Sequence, residues 1–246
     1  MHNERLAEIE AVLPTIGEVR RVTACAGFAA SDDFMAGDAR DIRARSPAPH
    51  RRARRVRPAH PLPGVQADAD PLGCLGDVGW YNLRTIMFAN GWELPTYVSA
   101  HALDVNDEGV PLTMAGVVGY ESSISTFDIG FDAPRAQLAE IVGKKATISW
   151  DGFIGPDDPT TCSFTVSVTG DPFRGEESSV VTTDVALPMT QAASTVEHLS
   201  LAILGGEPDP FWAEIMLKTQ RVVDAVQKSW QEDGRKVLVE PLAAKM

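Results

Sequence analysis

The chain has no run of about eighteen apolar residues, which excludes a helical membrane span. Among its 246 residues only three are cysteine, at positions 25, 74 and 162. That odd number shows no metal-ligand spacing, so it argues for reduced thiols rather than a disulfide framework or a zinc site. The five histidines are scattered, and no metal site follows from them. One segment is strongly basic. Between Arg43 and His60 stand seven arginines and no Asp or Glu, so a net charge of −12 leaves about −19 on the remainder. A body so acidic disfavours non-specific nucleic-acid binding. Also absent is any Gly-x-Gly-x-x-Gly joining a strand to a helix, the mark of a dinucleotide-binding turn. The first ten residues are charged and helical rather than leader-like, and the expected location is the cytoplasm.

What is present reads as a globular chain: 44% hydrophobic residues suffice for a core. Leu6, Ile9, Val12 and Leu13 follow helical spacing up to Pro14 and Gly17. Near-alternation over Glu18–Phe28 predicts a strand. The segment from Arg45 to Gly64 holds five prolines and almost nothing apolar, so it cannot offset its ordering entropy and is expected to be disordered. Leu75 to Asn90 predicts an apolar helix, with Gly91 past its end. Leu94–Asp104 and Val110–Tyr120 form an expected hairpin around Asn106–Gly109, and Ser122–Phe131 alternates again. Pro134–Ile141 is expected to be a short helix. Strands are expected over Lys145–Trp150, Cys162–Thr169 and Val180–Val185, then helices over Thr190–Leu204 and Pro210–Trp230. Strands in runs with helices at the ends predict an α+β fold: an open, mostly antiparallel sheet of about six strands, with helices on one face and at the ends.

The richest stretch is Asp70-Pro-Leu-Gly-Cys-Leu-Gly-Asp-Val-Gly-Trp-Tyr-Asn-Leu-Arg84. Its three glycines permit sharp turning and close backbone approach. Asp77 and Tyr81 place a carboxylate and a hydroxyl beside a helix start. By residue type alone, Asp77 reads equally well as a helix cap and Tyr81 as a helix-face aromatic. Cys74 reads as a packed small residue, without a histidine partner. The five tryptophans read as core and interface residues.

This stretch, with Ile16-Gly-Glu-Val19, Asp41-Ile-Arg43, Ala89-Asn-Gly-Trp-Glu-Leu-Pro95 and Lys218–Val226 followed by Ser229, resembles the C-terminal domain of the Gfo/Idh/MocA oxidoreductases. The resemblance implies NAD or NADP as cofactor and a sugar, polyol or related hydroxyl compound as substrate. It further implies a homodimer through the sheet, Tyr81 as acid/base, Asp77 as its neighbour, and Arg43 and Arg84 as holders of substrate oxygens. A tyrosine with an ordinary pKa near 10 needs a neighbouring cation for such work. In the family that cation is the lysine of a Glu-Lys-Pro motif, which this sequence does not contain. Residues 1–15 are accordingly expected to be a linker helix after a nucleotide-binding domain. Residues 16–246 would be the substrate and dimerisation domain, with an insertion at 45–65. Three accounts stay open: a longer protein, a non-catalytic dimerising or small-molecule-binding module, or a partner supplying the cofactor domain. On the first and third accounts, apolar surface near the N-terminal helix and Tyr81 would lie bare.

Overall fold

The computed structural model describes residues 4–30, 70–132, 134–171, 173–174, 177–206 and 209–241. Arg43 and the 45–65 segment lie outside them. The described chain forms α1 (Glu4–Val12), a 3-10 turn (Leu13–Ile16), β1 (Val19–Gly27), a π-helical turn (Leu75–Gly79) and α2 (Trp80–Ala89). There follow β2 (Tyr97–Val105), β3 (Pro111–Gly119), β4 (Ile124–Gly130), β5 (Ala136–Gly143), β6 (Thr147–Asp151), β7 (Thr161–Val168) and β8 (Ser179–Ala186). The chain closes with α3 (Gln191–Gly205), α4 (Pro210–Gln231) and β9 (Val237–Leu238).

All nine strands join one sheet in the order β8-β7-β6-β5-β1-β4-β3-β2-β9. Two antiparallel meanders, β2–β4 and β5–β8, flank β1. Only the β1–β4 pair is parallel. The expected α+β class and open antiparallel sheet are found, with nine strands instead of about six.

One expected element is corrected. Residues 136–143, expected in part as a short helix (Pro134–Ile141), form β5, paired with both β1 and β6. Its Ala, Gln, Leu and Glu favour helix intrinsically, but β1 pairs along its length, β6 pairs with 138–142, and Ala139 and Ile141 are buried. Tertiary pairing overrides a weak propensity. The β2–β3 hairpin forms as expected, its turn closed by Asn106, whose side-chain oxygen accepts from the N–H groups of Glu108 and Val110.

Period-two alternation gives the sheet two unlike faces. Val22, Ala24, Phe127, Ile129, Met114, Val98, Ala139 and Ile148 point to one side and are buried. There α2 lies on β1 and β4, α4 lies on β2, and α1 reaches β7 and β8. From α2 come Leu83, Ile86 and Met87, and from α4 Val222, Val223 and Val226; all six are buried. Each such side chain contributes about 1.5–3 kcal/mol of burial. The opposite face carries no helix among the described residues. One row across it runs Thr182, Thr165, Ser149, Glu140, Thr23, Thr126, Val117, Ser99. Ile124, Leu138 and Val180 stand exposed on the same side.

Local chemistry fixes the helix ends. Asp209 caps α4 by accepting from Phe211 N, with Pro210 in the first turn. Thr190 caps α3 by accepting from Ala193 N. Ser229, buried on α4, accepts from Ala100 N and donates to Arg235 O, tying the last helix to β2. Arg5 of α1 is 1% exposed and donates to the carbonyls of Asp151, Gly152 and Ser163. Sequence reading missed it, because an arginine on a short polar helix carries no signal that it is buried.

In α3, Val196, Leu199, Leu201, Ile203 and Leu204 are all exposed, and Ser194 is its one buried residue. Other residues of α3, Ser194, Glu197 and His198, face α1 across a cleft. No described helix is long and apolar enough to cross a membrane.

Candidate active site

The glycine-rich stretch is laid directly on the sheet. Asp70 opens it by accepting from Gly73 N (3.2 Å). Gly73 has φ +50°, and a Cβ there would sit 2.2 Å from Pro111 O. At Gly79 a Cβ would meet Ile129 Cδ1 at 2.8 Å. These two glycines therefore serve close backbone packing, which brings the start of α2 flush against β3 and β4.

Between them the chain forms a single wide π turn over Leu75–Gly79, entered by an α-type bond from Asp77 N to Gly73 O (3.1 Å). Asp77 sits inside this turn. Neither Cys74 before it nor Gly79 before α2 makes a side-chain cap. Tyr81 follows four residues later, then Arg84 and Phe88. Spacings of three and four set these side chains along one stripe of the helical run. Asp77 and Tyr81 are both half-buried, and Tyr81 packs against the core. The helix ends at Asn90, whose N–H reaches Ile86 O and Met87 O.

Cys74, in the same stretch, is fully buried, and desolvation pushes its thiol well above the usual range. We expect Cys74 to resist a thiol-alkylating reagent in the native protein and to react only once denaturant opens the core. Peptide mass spectrometry after pulse labelling measures this. Rapid native labelling would contradict the structure.

At the far end of the stripe Arg84 is clamped between two indoles. Its guanidinium carbon lies 5.9 Å from the ring centre of Trp92 and 5.6 Å from that of Trp212. Burial lowers its pKa. Trp92 adopts φ +64°, uncommon for a large side chain. It is held there by its N–H to Met87 O (2.7 Å) and by Lys218 Nζ on its carbonyl (3.0 Å). Edge-on contacts with Phe88 and Phe211 complete the grip, and Phe211 in turn contacts Trp212. Sequence reading left Trp92 and Trp212 among undistinguished core residues, because they are 120 positions apart and meet only through the α2–α4 contact.

Beyond the aromatic wall lies a cleft of about 590 Å³, lined by Phe88, Trp92, Phe211, Trp212 and the carboxylates of Glu4, Glu10, Glu197 and Asp209. Another cavity, about 650 Å³, opens around Arg5, Arg135 and Asp151 on the β5–β7 side and contains none of the expected site residues. So Asp77, Tyr81 and Arg84 share one helical run, while Arg43 lies outside the described residues. Among the described residues no group of three or more His, Cys, Asp or Glu is placed to hold a metal ion.

An open, mostly antiparallel sheet with one helical layer is the fold shared with solved structures of Gfo/Idh/MocA-type oxidoreductases. Three solved structures with that fold illustrate it. The 3-ketoreductase KijD10 of Actinomadura kijaniata, in complex with NADP and TDP-benzene, matches with TM-score 0.70 and 19% identity over 93% of this chain and 60% of its own. The aldose-aldose oxidoreductase of Caulobacter crescentus, complexed with glycerol, matches with TM-score 0.66 and 18% identity over 96% and 59%. An oxidoreductase domain protein of Kribbella flavida matches with TM-score 0.64 and 17% identity over 96% and 64%. The chain thus spans about 60% of the length of the structures it matches. No family model matches the sequence.

Proposed function

We propose that this chain is the substrate-binding half of an NAD(P)-dependent oxidoreductase of the Gfo/Idh/MocA kind, acting on a sugar, polyol or related hydroxyl compound. The observation that carries the reading is the Asp77–Tyr81 turn, seated by Gly73 and Gly79 on a sheet whose fold matches NADP- and sugar-handling enzymes.

The described residues do not fit a dinucleotide. The single parallel strand pair, β1 and β4, is separated in sequence by α2 and the β2–β3 hairpin rather than by a phosphate-cradling strand–turn–helix. The cofactor is therefore assigned to a nucleotide-binding domain other than this sheet, and hydride chemistry to that domain. The bare apolar ridge of α3 supports such a neighbour. What remains for this chain is the proton and the substrate. Tyr81 Oη would exchange a proton with the reacting hydroxyl or carbonyl oxygen, Asp77 would orient it, and Arg84 with Arg43 would hold other substrate oxygens. Residues 1–15 act as the link to that domain, and 16–246 as the substrate and dimerisation unit. The expected compartment is the cytoplasm.

The test fuses the chain behind the nucleotide-binding domain of the Actinomadura ketoreductase and follows NADPH oxidation with keto-sugars. Turnover that falls on the order of 100-fold in Tyr81→Phe, with KM little changed, is the expected result. A fusion that binds NADPH saturably yet reduces none of a broad sugar panel, or a Tyr81→Phe variant with unaltered turnover, would overturn the reading.

The helix-free sheet face supports a homodimer: it presents a row of small hydroxyl residues and carries exposed Ile124 and Leu138. Thr126→Lys places a charge at the centre of that face and is expected to convert the dimer to monomer by light scattering. An unchanged mass would move the interface elsewhere.

A further inference from the structure

We propose that Arg84, gripped by Trp92 and Trp212, is the receptor for an oxyanion carried by the ligand of this site, a carboxylate or a phosphate. This rests on the reading of the Asp77–Tyr81 turn as a substrate site and narrows its substrate to an anionic hydroxyl compound.

The argument starts from how arginines are satisfied in this fold. Arg20, Arg21, Arg135, Arg174 and Arg235 each pair with a carboxylate. Arg5 and Arg221 donate to backbone carbonyls. Arg84 alone among the described arginines has neither. Its Nε is buried without an acceptor, while the side chain as a whole stays partly exposed. A guanidinium carries five donors and no means of losing its charge near neutrality. Leaving a charged donor dry costs more than leaving a neutral one dry, and among the described residues no carboxylate pairs with Arg84 to offset it.

The two indoles offset part of that cost through their ring faces. They do nothing for the N–H groups, because a ring face attracts the charge without supplying a lone pair to each donor. What is left is a planar fork beside two aromatic neighbours, the geometry that matches the paired oxygens of a carboxylate or phosphate. Its conformational cost is met before any ligand arrives, since Trp92 is pinned by Met87 O, Lys218 and Phe211. Electrostatics select the side of approach. Trp92 and Trp212 form a wall of the acid-lined cleft, and Arg84 is not part of that lining. An anion therefore meets the fork along the α2 stripe, three residues from Tyr81, with the repelling carboxylates beyond the indoles. An oxyanion there anchors a ligand whose hydroxyl-bearing carbons extend toward Tyr81.

The experiment titrates the full chain, without cofactor, with inorganic phosphate, gluconate, glucose and chloride at matched ionic strength, following tryptophan emission. Saturable change with phosphate or gluconate and none with glucose or chloride is expected. Phosphate alone would point to a phosphorylated ligand, and gluconate alone to a sugar acid. Arg84→Gln is expected to weaken binding about tenfold or more. Arg84→Lys, which keeps charge without the fork, should fall between and guards against a misfolded variant, with the melting midpoint of each checked. No saturable response to either anion, or equal binding by a folded Arg84→Gln, would overturn the proposal. Its failure is separable from that of the catalytic reading. Tyr81-dependent turnover of neutral sugars without anion binding sinks this inference alone, and anion binding with Tyr81-independent turnover sinks the other.

Discussion

Gly73→Ala is expected to lower the melting midpoint by roughly 10 °C and to loosen the turn that carries Asp77. Two costs add. At φ +50° any residue with a Cβ is strained by about 1–2 kcal/mol. The added methyl would also lie 2.2 Å from Pro111 O and 2.7 Å from Val110 Cγ1. The first of these is backbone, so relief requires moving the start of β3 or lifting the turn, an overpacking cost of about 1–3 kcal/mol. Together, about 2–5 kcal/mol at 2–4 °C per kcal/mol gives the stated shift. Gly91→Ala is the matched control: its φ is also positive, but nothing stands within 4 Å of the new Cβ. Only the strain is then paid, and thermal melts should place it well above Gly73→Ala. Equal midpoints for the two would mean that the close approach to Pro111 contributes nothing.

Arg5→Met should destabilise by about 3–5 kcal/mol, despite similar length and better intrinsic burial. Replacing buried charges by apolar residues is often harmless when both partners go together. Here the acceptors are the main-chain carbonyls of Asp151, Gly152 and Ser163, which no substitution removes. Each loses a charged donor, at about 1–3 kcal/mol apiece, against the regained hydration of one guanidinium. Arg5→Lys restores a single point donor and should recover part of the loss. Urea unfolding gives both numbers. A Met variant as stable as the parent would show that water or a neighbouring N–H takes over those carbonyls. The expected consequence is local: α1 detaches from β6 and β7, because Arg5 supplies the polar bonds that bridge them.

Much of the architecture was legible from periodicity. Alternation along 19–27 and 124–130 marks strands whatever their neighbours, since half of each strand must be apolar to face a helical layer. Segment 136–143 was not legible, because Ala, Gln, Leu and Glu favour helix and only pairing to β1 and β6 makes them a strand. Two-residue β9 is too short to show any period.

The candidate site divides the same way. Local spacing by itself determined that Asp77, Tyr81 and Arg84 share one helical run, that glycines 73, 76 and 79 permit sharp turning or close approach, and that no dinucleotide fingerprint is present. Only the tertiary structure decided what those glycines approach, which face of the sheet is bare, and that Arg84 lies between Trp92 and Trp212. The reason is range. Helical stripes and turns are set by residues within a few positions of one another, whereas a clamp closed by residues 84, 92 and 212 exists only after α4 has packed across α2.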